Sequence, residues 1–262
     1  MSARVTIAFS NQKGGVGKTT LTRELGLYLV RRGYRVLLVD SDPQGNLTKS
    51  LCDAPPEAGL ADALDSGEVT ELTRLSNHLT LLSGDIRLAS LEKRLLTELD
   101  AYSRMRELFA GESFSSLDFI LLDTPPSLSV LTVNALTAAS HLLIPMRATL
   151  YSMQGTNDLM QTVAKVKKSL NPDLELLGVA INAYDSVPVI TRQIRSEIEE
   201  AFGELVFQTV VRRSIRIEEA IAARTSVLAS VRGHSVAPVQ VEIASLGDEI
   251  IGRLEISPRG TP

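Results

Sequence analysis

The 262-residue chain has no tryptophan, a single cysteine and only 4% aromatic residues. One thiol, Cys52, rules out a disulfide framework and fits a reducing cytoplasm. It also rules out an iron–sulfur cluster shared by two chains, because four thiolates need two cysteines from each subunit. No apolar run approaches the roughly 20 residues of a membrane span. Nothing resembles a signal peptide, since residues 1–10 read as a strand that leads straight into a glycine loop. The formal net charge of −4 and pI near 5.5 give no global attraction to nucleic acid, so any such binding must come from a local patch. What is present is a 44% apolar composition, rich in Leu, Val, Ile and Ala, in a chain long enough for one large α/β domain. We expect that domain to span 1–256, with 257–262 as a disordered tail.

Short β-rich runs alternate with helical patterns. Strands are expected at 5–9, 35–40, 79–83, 119–123, 141–146, 176–182 and 205–210, and helices at 18–32, 88–99, 152–170, 191–202 and 238–254. This alternation predicts an α/β fold of three layers, a mostly parallel twisted sheet with helices on both faces. Continuous apolar runs such as Phe119-Ile120-Leu121-Leu122 suit strands covered on both sides. Functional residues are then expected at the carboxyl ends of the strands. Residues 52–67, rich in Pro, Ala and Gly, read as an irregular excursion.

Immediately after the first strand stands Ser10-Asn11-Gln12-Lys13-Gly14-Gly15-Val16-Gly17-Lys18-Thr19-Thr20. Backbone amides can wrap a phosphate only where no Cβ blocks the approach, which Gly14, Gly15 and Gly17 allow. In a phosphate-binding loop Lys18 reaches the β- and γ-phosphates and the Thr19 hydroxyl ligates Mg²⁺. The helix that follows directs its N-terminal dipole at the same anion. Two positions depart from the common pattern: Gln12 stands where a glycine is usual, and Lys13 adds a second lysine beside the glycines.

Two aspartates end apolar strands. In Val36-Leu37-Leu38-Val39-Asp40-Ser41-Asp42-Pro43-Gln44-Gly45-Asn46, Asp40 closes the strand and Asp42 follows two residues later. One of these carboxylates is expected near Mg²⁺ and the other to orient a water for in-line attack. In Phe119-Ile120-Leu121-Leu122-Asp123-Thr124-Pro125-Pro126, Asp123 is the expected Mg²⁺ ligand, direct or through water.

With these motifs the chain resembles the ParA/MinD family of deviant-Walker P-loop ATPases, and within it the small, Soj-like ParA partition ATPases. Blocks 13–20, 36–46, 119–128 and 208–220 carry the resemblance, with weaker similarity at 82–91, 134–155 and 178–186. The resemblance implies ATP and Mg²⁺ as cofactors, with Gly14, Gly15, Val16, Gly17, Lys18, Thr19 and Thr20 around the phosphates. It implies that Lys13 reaches the partner's phosphates across an ATP-bound homodimer and that Asp42 positions the hydrolytic water. It also implies slow hydrolysis stimulated by a ParB-like centromere-binding protein or a cargo adaptor, and association of the ATP dimer with the nucleoid. Asn182 and Arg212 fall in the family's adenine pocket, where Asn182 replaces a common threonine and Arg212 a common proline. Gln154 stands where the family has glutamate.

Non-specific DNA is the expected partner of the ATP dimer, through Arg192, Arg195, Arg213, Arg216 and Arg224. Residues 205–217 hold several arginines and no acid, within a chain that is acidic overall. The alternative, a MinD-like membrane-associated ATPase, needs a basic amphipathic C-terminal helix. Residues 241–256 carry an apolar stripe, but their charges are mostly acidic, so the stripe is expected to pack in the core and no stable membrane association is expected.

Overall fold

The computed structural model describes residues 4–149, 154–184, 189–229 and 236–256. A seven-stranded sheet runs through it in the order β3-β4-β2-β5-β1-β6-β7. These strands are β1 (Val5–Phe9), β2 (Val36–Asp40), β3 (Thr73–Arg74), β4 (Leu79–Leu82), β5 (Phe119–Asp123), β6 (His141–Met146) and β7 (Glu175–Ile181). Every pairing is parallel except the short β3 against β4. The predicted α/β architecture is the one observed.

The three central strands β1, β2 and β5 are buried along their whole length. Their side chains alternate between two cores, as the two-residue period of a strand requires. Leu37, Val39, Ile120 and Leu122 face one core, beneath α3 (Leu60–Ser66), α4 (Arg87–Leu95), α5 (Arg104–Phe109) and α6 (Val130–Ala138). Val36, Leu38, Phe119 and Leu121 face the other, beneath α1 (Lys18–Arg31), α9 (Ile215–Ala222) and α10 (Pro238–Arg253). The remaining helices are α2 (Asn46–Leu51), α7 (Gln154–Ser169) and α8 (Val189–Phe202). The stripe on α10 packs inward, with Val239, Ile243, Leu246, Ile250 and Ile251 all buried against the core that α1 shares. The predicted tail at 257–262 lies outside the described residues.

Two expectations are corrected. Residues 205–210 do not form a strand. A turn of 3₁₀ helix over Gly203–Leu205 leads into a segment joined to the sheet only by isolated bridges, Val179 to Val206 and Tyr184 to Arg212. The reason is competition from α10: the Glu249 carboxylate accepts the N–H groups of Gln208 (2.8 Å) and Thr209 (2.9 Å), and Arg253 takes the carbonyls of Glu204, Leu205 and Val206. Backbone groups paired with side chains cannot extend a ladder. The excursion at 52–67 contains α3, capped where the Gly59 N–H donates to Asp62 (2.8 Å) and anchored by buried Leu60, Ala61, Ala63 and Leu64. The helices α2, α5, α6 and α9 also lie outside the helical runs expected from the sequence. In α6 nearly every side chain is buried, polar Thr132, Asn134 and Thr137 included, so no 3.6-residue stripe is written in its sequence.

Gly247 lets α10 approach α1. A Cβ there would run into the ring of Tyr28, whose hydroxyl donates to Asp248. Gly247→Ala is therefore expected to cost about 1–3 kcal/mol of stability through overpacking, outweighing any gain in helix propensity. Equilibrium urea denaturation measures this.

Candidate functional site

β1 is flanked by β5 on one side and β6 on the other, so the chain leaves Phe9 at the point where the strand order reverses. Such a switch point opens a crevice above the carboxyl ends of the strands. The loop from Ser10 to Gly17 fills its rim. Gly15 and Gly17 have φ of 71° and 95°, the left-handed region in which glycine is at ease. At Gly17 there is a second demand: an added Cβ would collide with the Asn182 side chain, whose Nδ2 donates to the Val16 carbonyl at 3.0 Å. Gly17 also opens α1, and no side chain caps that helix N-terminus. Its first amides are left for an anion.

Lys18 is buried, its Nζ donating to the carbonyls of Asn11 (3.0 Å) and Lys13 (3.4 Å). Burial lowers its pKa, and the neighbouring Asp123 and Asp42 carboxylates act against that. Thr19 follows on the first turn of α1. The Lys13 N–H donates to Asn11 Oδ1 (3.0 Å), and Lys13 Nζ donates to the Thr149 hydroxyl (2.9 Å).

Register brings the two strand-end aspartates together, for Asp40 of β2 pairs with Asp123 of β5, which pairs on its other side with Phe9 of β1. Both are fully buried. Burial raises the pKa of Asp40 to about 6 despite hydrogen bonds from Thr48 and the Asp42 N–H. Asp123 is raised well above the usual carboxylate range, first by burial and then by the charge of Asp40, with Thr19 and Lys18 opposing. The surroundings of the two differ. Asp40 accepts from the Thr48 N–H and hydroxyl (both 2.8 Å) and from the Asp42 N–H (3.3 Å). Those bonds tie the start of α2 to the end of β2 and engage both carboxylate oxygens of Asp40. Among the described residues neither oxygen of Asp123 has a hydrogen bond of normal geometry, although the Thr19 hydroxyl lies near enough to act on it. Mg²⁺ commonly takes one or two protein ligands and fills its octahedron with phosphates and water. An orphaned buried carboxylate beside a hydroxyl fits that ion. Asp42 is buried at the loop's edge, with Oδ1 accepting from the Gln44 N–H (2.9 Å), and its charge acts on both Lys18 and Asp123.

The other predicted residues fall in different places. Asn182 is buried against the loop, its amide spent on Val16. Arg212 is engaged by Glu242 of α10 through both its backbone N–H (2.9 Å) and its Nε (2.5 Å). Among the arginines, Arg195 pairs with Glu199 (2.7 Å), Arg216 with Glu219 (3.1 Å) and Arg224 with Asp53. Arg192 and Arg213 are exposed and form no ion pair among the described residues. Arg195 stacks near the Tyr184 ring, and Tyr184 exchanges backbone bonds with Val211 and Arg213, so these arginines share one region. Arg216 and Arg224 belong to α9 and its end, which packs near α2.

Asn11 belongs to none of the expected sites, yet its side chain bridges the Lys13 N–H to the Pro145 carbonyl (2.7 Å). The same is true of Arg23 and Glu24 on α1, a fully buried ion pair. Arg23 Nη2 donates to the Thr225 carbonyl (2.7 Å), and Glu24 accepts from the Ser226 hydroxyl and the Val227 N–H (3.0 Å each). Their one signal was charge on the flank of the apolar stripe of α1.

Residues 4–176 match the model of a family described as an AAA domain. The chain is 40% identical to the chromosome-partitioning ATPase Soj of Thermus thermophilus, over 82% of this chain and 83% of that one. It is 36% identical to the chromosome partitioning protein ParA of Caulobacter vibrioides, over 82% of each. Among solved structures it is similar to cobyrinic acid a,c-diamide synthase of Mycobacterium smegmatis with a bound ATP analogue and magnesium. That likeness has a TM-score of 0.83 and 29% identity, covering 99% of this chain and all of the other.

The raised pKa of Asp123 carries a sign. An unfolded aspartate ionises near 3.8. Above that pH the folded chain keeps a proton that the unfolded chain has released, so stability falls as pH rises toward the folded value. Asp123→Asn removes this cost. It is expected to raise the melting temperature of the nucleotide-free protein near pH 7, by ~2–4 °C for each kcal/mol relieved, with no gain near pH 4. The same variant is expected to lose Mg²⁺-dependent nucleotide binding, which calorimetry in the two buffers checks.

Proposed function

The chain belongs to the ParA/MinD family of ATPases, and from that premise we propose that it is an ATP-gated dimer that positions a DNA or protein-cluster cargo. It is an ATP hydrolase that uses Mg²⁺. The observation that carries the dimer reading is the second lysine, Lys13, on the rim of the phosphate loop.

In this reading the amides of 14–20 cradle the phosphates, and Lys18 offsets charge on the β- and γ-phosphates. Thr19 and Asp123 would hold Mg²⁺, which would supply positive charge to offset that of the phosphates. Asp42 orients water for in-line attack. Its placement beside Lys18 and Asp123, at the edge of a loop that begins Pro43-Gln44-Gly45, supports that role. Lys13 then leaves Thr149 and reaches the partner's γ-phosphate, supplying in trans a cation for developing charge as an arginine finger does. Asn182 and Arg212 flank the base. Hydrolysis removes the γ-phosphate that holds the two copies together, and a ParB-like protein or cargo adaptor stimulates that step.

The ATP dimer binds DNA without sequence preference, placing it on the nucleoid. Arg192 and Arg213 are the strongest candidates for phosphate contacts because they carry no counter-charge among the described residues. Arg195, Arg216 and Arg224 contribute by exchanging Glu199, Glu219 and Asp53 for phosphates. A MinD-like membrane helix is disfavoured by α10, whose apolar stripe is spent on the core. Among the described residues no helix is long and apolar enough to cross a membrane.

Lys13→Ala is expected to bind ATP as a monomer and fail to dimerise, whereas Asp42→Ala should dimerise with ATP and persist as a dimer. Light-scattering chromatography with ATP reads both, and a normal ATP dimer from Lys13→Ala would overturn the role of that lysine. DNA retention is expected with ATP and not with ADP. Its log–log slope against salt should become shallower by about 0.9 for each phosphate contact removed, as in Arg213→Ala. Equal retention with ADP would remove the DNA reading.

A further inference from the structure

The end of β6 and the chain leaving it run alongside the phosphate loop and contact it both directly and through Asn182. Pro145 O accepts from Asn11 Nδ2 at 2.7 Å. Met146 O accepts from the backbone N–H of Asn182 at 2.7 Å, and the side chain of Asn182 holds Val16 O. Arg147 follows, its Nη1 donating to the carbonyl of Gly15 at 3.5 Å. Two residues on, the Thr149 hydroxyl accepts from Lys13 Nζ. Gly155 of α7 completes the row, close enough that a Cβ there would lie 3.5 Å from Gln12 Cβ. Most of these contacts come from neutral amides and carbonyls. Arg147 brings a permanent cation to the glycine segment itself.

We propose that Arg147 is a positioning residue for the phosphate loop: its guanidinium holds the Gly15 carbonyl outward and thereby turns the Val16 N–H inward, toward bound phosphates. The proposal rests on the reading of residues 10–20 as a nucleotide site. A trans peptide is planar, with its C=O and the following N–H pointing in opposite directions, so fixing one fixes the other. The need is real at this peptide. Gly15 sits at φ 71°, and a glycine there gains nothing from a side chain to resist rotation of the adjoining planes. A peptide flipped the other way would present a carbonyl oxygen to the phosphates in place of an N–H. The guanidinium charge adds a second effect, raising the potential at the rim through which a polyanion enters. Both effects act on the loop before the nucleotide arrives, so they apply to ATP and ADP alike. That separates Arg147 from a residue acting only on the γ-phosphate.

The test is titration calorimetry of wild type, Arg147→Ala, Arg147→Met and Arg147→Lys with Mg-ATP and with Mg-ADP, beside melting temperatures without nucleotide. Alanine and methionine variants are expected to melt like the wild type when nucleotide-free and to bind both nucleotides about tenfold more weakly. Methionine keeps the stem that packs and lacks a donor, so it answers the question if the alanine variant does not fold. Lysine is expected to recover part of the loss, since an ammonium can donate to a carbonyl without the planar fork. Hydrogen exchange of the Val16 amide in the nucleotide-free chain is expected to quicken in the methionine variant and not in a control such as Arg106→Met. Wild-type affinity for both nucleotides in the methionine variant, or a loss confined to ATP, overturns the proposal. Absence of Mg-ATP binding by the wild type instead overturns the nucleotide site on which it rests.

Discussion

Asp123 is a carboxylate held where water does not reach. Its place follows from the sheet, because β5 lies between β1 and β2 and its last residue is walled by Phe9 on one side and Asp40 on the other. Buried carboxylates are normally satisfied by hydrogen bonds or ion pairs, and one left without them is costly. The surroundings can be read as responses to this buried carboxyl group. Lys18 is drawn into the interior, its ammonium fastened by the carbonyls of Asn11 and Lys13. The neighbouring carboxylate, Asp40, is turned to Thr48 and to the Asp42 N–H. Such an arrangement costs stability, and a bound cation would relieve that cost.

The same helix that begins at the phosphate loop is tied to the far side of the molecule. Arg23 and Glu24 pair with one another in the interior and grip the carbonyl of Thr225, the hydroxyl of Ser226 and the N–H of Val227. A buried ion pair rarely adds much net stability, because desolvation consumes most of the attraction. What it does impose is geometry: these two charges must face these partners, so α1 is tied to the segment after α9. Lys18 and Thr19 stand one to two turns from this junction on the same helix. The loop after β6 braces the phosphate loop from the opposite side. The loop is therefore held between two rigid supports, one from β6 and one from α1, while Gly14 and Gly15 remain exposed between them.

Much of the architecture was legible in the chain. Apolar runs ending in Asp at 36–40 and 119–123 announced parallel strands covered on both faces, and the glycine loop announced the switch point. Where sequence and structure differ, each difference has its own cause. Residues 205–210 have the composition of a strand, but Glu249 and Arg253 of a distant helix take their backbone groups. Residues 130–138 lack helical periodicity because a helix buried all round has no polar face to alternate with. Residues 60–66 were obscured by the prolines and glycines that precede them.

For the site, the sequence by itself determined the chemistry available: which amides can approach a phosphate, which lysines stand beside them, and which strands end in carboxylates. These are local facts, set by the absence of a Cβ and by the two-residue period of a strand. The tertiary structure decided which of those groups are committed and which are left open. Asp40 and Asp123 are near-equivalents in sequence, each an aspartate closing an apolar strand. Only the packing of α2 against β2 supplies Thr48 to one, while the other has just the Thr19 hydroxyl and the Lys18 charge nearby among the described residues. Likewise nothing near Arg147 in the chain marks it, since its partner at Gly15 is brought to it by the pairing of β1 with β6. Hydrogen-bond satisfaction of a buried group depends on neighbours that are remote in sequence, and so it is settled by the fold.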